Sequence, residues 1–337
     1  MFTIYLRSSS ISTYKQCPHK FFICYVLGIK FQANEAANVG SISHKCIEMF
    51  GRKKIAMQNG EQSFFDSDLN REVNISEVQL DWVVNTIFHY YTVIKPLQTK
   101  PFKKTAFGEV YGHVETVLTN QIYSPLNREV IAVEDFFDFE IKQDWAKYDF
   151  TIQGKRYEGY LKLRGTMDAL YKISDDHWEY WDEKSGRVAY SWEKQREKTY
   201  EEFRNDVQLR LYHYVLNLKY PNVKYWTLTL FYSKANEPVS VLFTKDDLPF
   251  TEQAIRRNFE EIKATKIPAW IKNDSKSHMC NFCEYAKNNK PGTTDSYCWA
   301  TRQEILKLGL ERVQERGILV ESHFTYSGGG SNRTIGE

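Results

Sequence analysis

Three residues near the middle of the chain, Asp168, Asp182 and Lys184, have the types and spacing needed for hydrolytic chemistry. The surrounding sequence predicts two strands joined by a turn, and alternate side chains of a strand share a face. Asp182 and Lys184 are therefore expected to point the same way, and Glu183 to point away from them. Carboxylates in such a layout hold Mg²⁺ or Mn²⁺, while the lysine acts on the attacking water and the phosphate. The pattern is typical of metal-assisted hydrolysis of a phosphodiester bond.

The elements that must position these residues are predicted from apolar periodicity. Strands are predicted at 129–141, 155–168, 177–184, 225–232 and 239–244. Helices are predicted at 75–94, 250–266 and 301–316, with one ending near residue 54 and one within 191–220. Residues 55–72 are polar and are expected to form a loop. This mixture of elements predicts an α/β protein.

Four short motifs occur in order along the chain. They are Gly40-Ser41-Ile42-Ser43-His44, Gly165-Thr166-Met167-Asp168, Asp182-Glu183-Lys184-Ser185-Gly186 and Gln208-Leu209-Arg210-Leu211-Tyr212. Together they resemble the motifs of the RecB-like branch of the PD-(D/E)XK nucleases, over a region from about Ser8 to Cys298. The resemblance implies a restriction-endonuclease-like core, in which a central mixed sheet is flanked by helices.

The same resemblance suggests how the chain is organised. We expect one RecB-like nuclease domain over residues 1–326, with a helical insertion at about 55–125 and a cysteine-bound segment at 278–299. Residues 327–337 are rich in glycine and polar residues, a composition that predicts a flexible tail.

The resemblance also implies a set of metal ligands. His44, Asp168 and Asp182 would ligate a divalent ion, Mg²⁺ or Mn²⁺, together with the main-chain carbonyl of Glu183. The alternative for each residue alone is an ordinary structural role, such as a turn cap or an ion pair on an exposed strand.

The remaining motif residues would act on the substrate. Lys184 would orient the attacking water and stabilise charge that develops on the phosphate. Gln208 and Tyr212 lie four residues apart, hence on one helix face, and would position the DNA backbone or the lysine. Glu134 and Glu140, on the preceding strand, are alternative acidic residues.

A second constellation consists of cysteines. Cys280 and Cys283 form a Cys-x-x-Cys pair, which suits Zn²⁺, an iron–sulfur cluster or a redox pair. Cys298 follows, and Cys17 is the natural candidate for a fourth thiolate. This split resembles the iron–sulfur staple of AddB-type and CRISPR-associated nucleases, where the cluster pins the two chain ends together. The resemblance implies a [4Fe–4S] cluster, with Zn²⁺ as the alternative.

The composition indicates an ordinary soluble globular protein, with 42% hydrophobic and 26% charged residues. We find no run of about 18 apolar residues, so no membrane span is expected. The first residues lack the layout of a signal peptide, which predicts a cytoplasmic location, where cysteines serve as thiols or metal ligands. Cys24 and Cys46 lie among apolar residues and are expected in the core.

These features predict a metal-dependent DNA nuclease, an exonuclease acting on DNA ends or single strands. The net charge of +2 is only weak evidence for a nucleic-acid partner, although basic residues cluster at 95–104 and 187–198. The chain has no G-x-x-x-x-G-K-[ST] motif, so a helicase or recombination partner would supply any unwinding. The alternative is a non-catalytic DNA-binding or scaffold module of a repair or recombination complex.

Overall fold

The computed structural model describes residues 1, 3–29, 33–152, 154–186, 190–191, 196–271, 277–287 and 296–318. The α-helices are α1 (Ser8–Gln16), α2 (Pro18–Phe21), α3 (Glu35–Asn59), α4 (Leu80–His89), α5 (Ala106–Thr119), α6 (Tyr200–Arg204), α7 (Val207–Lys219), α8 (Leu248–Ala264), α9 (Glu284–Lys287), α10 (Tyr297–Leu308) and α11 (Leu310–Ile318). The strands are β1 (Tyr5–Leu6), β2 (Ser63–Asp66), β3 (Arg71–Asn74), β4 (Glu129–Glu140), β5 (Lys147–Ile152), β6 (Lys155–Tyr160), β7 (Lys162–Lys172), β8 (His177–Lys184), β9 (Tyr190–Ser191), β10 (Arg196–Glu197), β11 (Tyr225–Tyr232) and β12 (Glu237–Thr244). Short π-helical turns cover Phe22–Val26 and Tyr90–Ile94, and 3₁₀ turns cover Pro125–Asn127, Asp144–Ala146, Lys245–Asp247 and Ser277–Phe282.

Six strands form a mixed central sheet in the order β1-β7-β8-β11-β12, with β4 also paired to β7. β8 and β11 run parallel, whereas β4–β7, β7–β8 and β11–β12 are antiparallel. Helices cover both faces, which confirms the predicted α/β fold with a mixed sheet flanked by helices.

Each face of the sheet has its own apolar core because strand side chains alternate. On β11, Trp226 belongs to a core with Leu211 of α7 and Phe259 of α8. Phe231 belongs to the core on the opposite face, with Val114 of α5. The helix α3 packs on this second face, so it approaches β7 and β8 from the side opposite to α7.

The long strand β7 changes its neighbour along one edge. Lys162 and Leu163 pair with β1, whereas Ala169–Lys172 pair with β8. β4 occupies the other edge along the whole of β7. Between these two pairings, residues 164–168 have no described strand partner on the β8 side. Asp168 therefore lies where β7 and β8 separate.

The predicted helical insertion at about 55–125 also contains strands. α3 continues to Asn59 and ends at Gly60, which has the positive φ of 75° that suits glycine. β2 and β3 then form a hairpin, in which Phe64 pairs with Val73. The loop prediction for 55–72 was therefore wrong, because α3 runs on to Asn59 and the two strands, at four residues each, are too short to show a clear alternating pattern.

Two other predicted elements are each divided in the structure. The strand predicted at 155–168 is two strands, β6 and β7, separated at Leu161, and β6 forms a hairpin with β5. The helix predicted at 301–316 is interrupted at Gly309, whose φ is 86°. The predicted tail at 327–337 lies outside the described residues. Within the part of the chain that is described, no helix is long and apolar enough to cross a membrane.

A glycine allows α3 to lie close to β4. A Cβ added to Gly51 would come within 2.5 Å of Cγ1 of Val133. We expect Gly51→Ala to lower the free energy of unfolding by about 1–3 kcal/mol through overpacking. In the matched control Gly112→Ala, also within a helix, the new Cβ meets no described atom within 4 Å beyond its chain neighbours and the nearby backbone of its own helix. That variant should gain about 0.5–1 kcal/mol from helix propensity. Urea denaturation of both variants measures this, and equal effects would contradict the close packing.

Candidate active site

The side chains of β8 divide between the two faces of the sheet. Asp182 and Lys184 form an ion pair on the α7 face, where Tyr180 stacks on Tyr212 with ring centroids 4.3 Å apart. Glu183 lies on the opposite face, towards α3. This is the alternation predicted from the sequence. It places the Asp182–Lys184 ion pair on one face of β8 and the Glu183 carboxylate on the other.

His44 projects from α3 between two carboxylates. Its Nδ1 lies 3.0 Å from Oδ2 of Asp168, and its Nε2 lies 2.8 Å from Oε2 of Glu183. The helix can come this near because Gly40 faces the strand end, where an added Cβ would lie 3.2 Å from Oγ of Ser185. Thus the glycine and the histidine of the first motif are both used in placing α3 against β8.

Asp168 links the two faces of the sheet at the point where the strands separate. Its Oδ2 accepts a hydrogen bond of 3.3 Å from the main-chain N–H of Glu183. Its carboxyl group also lies near that of Asp182, and burial, together with this nearby charge, raises the pKa of Asp182. The side chain of Asp168 therefore bridges the gap that the missing strand pairing leaves, and contacts both His44 and Asp182.

Glu134 is the site residue that the sequence analysis left as an alternative. It lies on β4 with a φ of 47°, in the left-handed region that is rare for residues other than glycine. Ligand atoms of His44, Glu134 and Asp168 lie within 4.8 Å of one another, and this is the one such group among the described residues. The sequence analysis could offer Glu134 only as an acidic residue on the preceding strand, because a positive φ cannot be read from the sequence.

The electrostatics of the site favour an added cation. Burial raises the pKa of Asp182 to about 7, with Asp168 adding to the effect and Lys184 opposing it. Burial, then Asp168 and Glu48, raise the pKa of Glu134 to about 8. The protein therefore has more carboxyl groups here than it can easily keep charged without a further cation.

Two protein cations already lie among these carboxyl groups. Burial tends to lower the pKa of His44, but Asp168 and Glu183 outweigh it and hold this pKa well above the usual range. Burial likewise opposes the charge of Lys184, whereas Asp182 and Asp168 raise its pKa. Imidazole and carboxylate groups converging in one place are a suitable donor set for Mn²⁺ or Mg²⁺.

The last motif lies on α7 and contacts the strands directly. The hydroxyl of Tyr212 donates a hydrogen bond of 3.0 Å to the carbonyl of Thr166 on β7. The hydroxyl of Tyr180 donates one of 3.3 Å to Oδ1 of Asp182. Gln208 lies half-buried in the first turn of α7, where its main-chain N–H donates to Asp206. Tyr212 therefore supports β7, and Tyr180 supports the carboxylate of Asp182, on the face of the sheet that α7 covers.

The four predicted cysteine ligands line one pocket between the chain ends, although their sulfur atoms do not form a compact ligand group in the described structure. Trp270 Nε1 donates to Sγ of Cys298 over 3.0 Å, and the main-chain N–H of Lys20 donates to Sγ of Cys17 over 3.3 Å. Cys280 and Cys283 line the same pocket.

The two cysteines expected in the core differ in their surroundings. Cys46 lies on α3 and is buried in the core. Cys24 is half-buried and donates its thiol hydrogen to the hydroxyl of Tyr285 over 2.8 Å.

One family of known proteins matches most of the chain. Residues 8–287 match the family described as the PD-(D/E)XK nuclease superfamily. The chain belongs to this superfamily. It is similar to a crystal structure from Eubacterium rectale described as a "Putative exonuclease", with 9% sequence identity and a TM-score of 0.46, over 85% of this chain and 88% of that chain. No protein with curated information matches the chain in sequence.

Metal binding at this site should release protons. His44 has a raised pKa, and those of Asp182 and Glu134 are about 7 and 8, so all three bind protons near neutral pH. A cation competes with these protons, so we expect its affinity to rise between about pH 6 and pH 8. Titration calorimetry with Mn²⁺ in buffers of different ionisation enthalpy measures the release. Glu134→Gln should reduce the number of protons released, and binding without any release at pH 7 would contradict the assignment.

Proposed function

We propose that this protein is a divalent-metal-dependent deoxyribonuclease that hydrolyses phosphodiester bonds, as an exonuclease acting on DNA ends or single strands. The observation that carries the proposal is the convergence of His44, Glu134 and Asp168 beside the Asp182–Lys184 pair. Membership of the nuclease superfamily supports a nucleic-acid substrate. We further propose that DNA is the substrate, that its ends are the point of attack, and that a helicase or recombination protein is the partner.

The residues of the site divide between two tasks. His44, Glu134 and Asp168 would hold Mg²⁺ or Mn²⁺, and Asp182 and the main-chain carbonyl of Glu183 remain predicted ligands next to them. When bound, such an ion acts as a Lewis acid on the phosphate and lowers the pKa of a coordinated water.

Lys184 has the position expected of a group that acts on the phosphate. It lies at the end of β8, one third exposed, with its ammonium group held by Asp182. From there it can donate hydrogen bonds to the attacking water and to the phosphate oxygens as negative charge develops. Tyr212 and Gln208 would position the DNA backbone and this strand end relative to the lysine.

The test is digestion of end-labelled linear DNA and covalently closed circular DNA with Mg²⁺ or Mn²⁺. We expect the linear substrate alone to be degraded, and Asp182→Asn to lower the rate by ~10²-fold or more, because metal and lysine effects contribute several kcal/mol. Asp176→Asn is the matched control, since Asp176 is a partly exposed residue of the turn before β8 that pairs with Lys224.

Each other outcome has a defined meaning. Cleavage of the circle as well would keep the site but make the protein an endonuclease. Full activity of Asp182→Asn would contradict the site. DNA binding without cleavage by the wild type would favour the alternative, a non-catalytic DNA-binding or scaffold module.

We also propose that Cys17, Cys280, Cys283 and Cys298 hold a [4Fe–4S] cluster, with Zn²⁺ as the alternative. The four residues line one pocket, and N–H groups donate to two of the sulfurs, as they do to metal-bound thiolates. Burial raises the pKa of Cys298 to about 12, so the thiol is neutral until a metal ion displaces its proton. Binding would require the cysteine side chains to rotate towards one another.

Reconstitution with iron and sulfide under anaerobic conditions tests the cluster. We expect bound iron and a broad visible absorption in the wild type, and loss of both in Cys280→Ser. Cys46→Ser is the control, because Cys46 is buried elsewhere, on α3. Bound zinc without visible absorption would select the alternative, and binding of neither metal would show that the cysteines are structural thiols.

A further inference from the structure

We infer that the carboxylate of Glu183 is a positioning residue that orients His44 for metal binding, and that Ser233 fixes this carboxylate in turn. The inference rests on the proposed metal site and extends it to two residues on the α3 face of the sheet. It concerns the side chain of Glu183, whereas the sequence motif assigned a role to its main-chain carbonyl alone.

Each oxygen of the Glu183 carboxylate lies beside one polar group of the protein. Oε2 lies 2.8 Å from Nε2 of His44, and Oε1 accepts a hydrogen bond from Oγ of Ser233. The side chain of Glu183 is 1% exposed, and Ser233 is also buried. Ser233 follows the end of β11, where its main-chain N–H donates to the carbonyl of Lys184 over 3.0 Å. The hydroxyl group beside Glu183 therefore belongs to a residue that is itself hydrogen-bonded to the end of β8.

This contact decides which nitrogen of His44 can bind a metal ion. An imidazole that donates Nε2–H to a carboxylate has its lone pair on Nδ1. Nδ1 is the nitrogen that faces Asp168, at 3.0 Å. A carboxylate behind a ligating histidine fixes the ring orientation and the tautomer, and makes the histidine a stronger ligand. Glu183 has the position and the charge for this task.

The geometry argues against a direct ligand role for the Glu183 carboxylate. The compact ligand group consists of His44, Glu134 and Asp168, and does not include Glu183. Neighbouring strand residues on the same face, such as Trp181 and Phe231, are apolar core residues. An apolar residue would suit this position on packing grounds alone, whereas a buried carboxylate carries a desolvation cost. His44 and Ser233, which lie beside its two oxygens, offset part of that cost.

Two variants of Glu183 separate its charge from its hydrogen bonds. Glu183→Gln keeps an acceptor for Nε2–H, whereas Glu183→Leu removes both the charge and the acceptor at similar volume. Titration calorimetry of the DNA-free protein with Mn²⁺ should show an affinity loss of ~10–100-fold for Glu183→Leu and a smaller loss for Glu183→Gln. The ¹⁵N resonances of His44 in the Mg²⁺-loaded protein should report the Nε2–H tautomer in the wild type and a mixture of tautomers in Glu183→Leu.

The matched control is Glu179→Gln. Glu179 lies on the same strand and the same face, is also buried, and contacts Arg128 and Thr229 rather than His44. We expect its Mn²⁺ affinity and the His44 tautomer to equal those of the wild type. If Glu183→Leu fails to fold, the comparison of Glu183→Gln with Glu179→Gln still tests the inference.

Two further variants distinguish failure of the inference from failure of the metal site. Asp168→Asn should abolish Mn²⁺ binding, and in a His44→Ala background Glu183→Leu should cause no additional loss. Normal binding by Glu183→Leu, with binding abolished by Asp168→Asn, would overturn the positioning role and leave the metal site intact. A loss that persists in the His44→Ala background would make Glu183 a ligand itself and also overturn the inference. Normal binding by Asp168→Asn would overturn the proposed metal site, and the inference with it.

Discussion

The separation of β7 from β8 is the constraint on which the site depends. After the pair Ala169–Trp181 the ladder stops, and main-chain groups of both strands need other partners. Asp168 supplies one by accepting from the N–H of Glu183, and Tyr212 supplies another by donating to the carbonyl of Thr166. Polar side chains are therefore drawn into the gap for structural reasons, and those of His44 and Asp168 stay partly exposed there.

The charges at this gap come from both faces of the sheet. α3 brings His44 from one side, and β8 directs Lys184 to the other, with Asp168 in contact with the groups on both sides. Buried carboxylates are costly unless a cation accompanies them, so the histidine and the lysine stabilise these carboxylates in the folded protein. A bound metal ion would neutralise part of the carboxylate charge that protonated His44 neutralises in the folded chain. Stability and metal affinity are thus linked through the same few groups.

Local patterns in the sequence predict the parts of this arrangement that depend on regular structure. The strand at 225–232 was predicted with the bounds observed, and the period of two along β8 gave the opposite directions of Asp182 and Glu183. Glu134 could not be placed in the same way, because its φ of 47° departs from strand geometry. The contact between Glu183 and Ser233 was also out of reach, since it depends on the parallel pairing of two strands distant in the sequence. Pairing between distant strands and irregular backbone are tertiary properties, and short motifs do not encode them visibly.

The cysteine pocket lies in a seam, the junction between the N-terminal helices and the C-terminal segment, where other interactions also join the two. The terminal amino group of Met1 donates to the carbonyl of Thr265, and His19 Nε2 lies 2.9 Å from the carbonyl oxygen of Cys298. Tyr285 donates to the carbonyl of Ile29 over 2.8 Å. The N-terminal helices are therefore joined to the C-terminal segment by the protein alone, so a cluster would reinforce this junction rather than create it. Because α1 packs on α7, and α7 carries Tyr212, strengthening the seam would also restrain the helix that supports β7 behind the site.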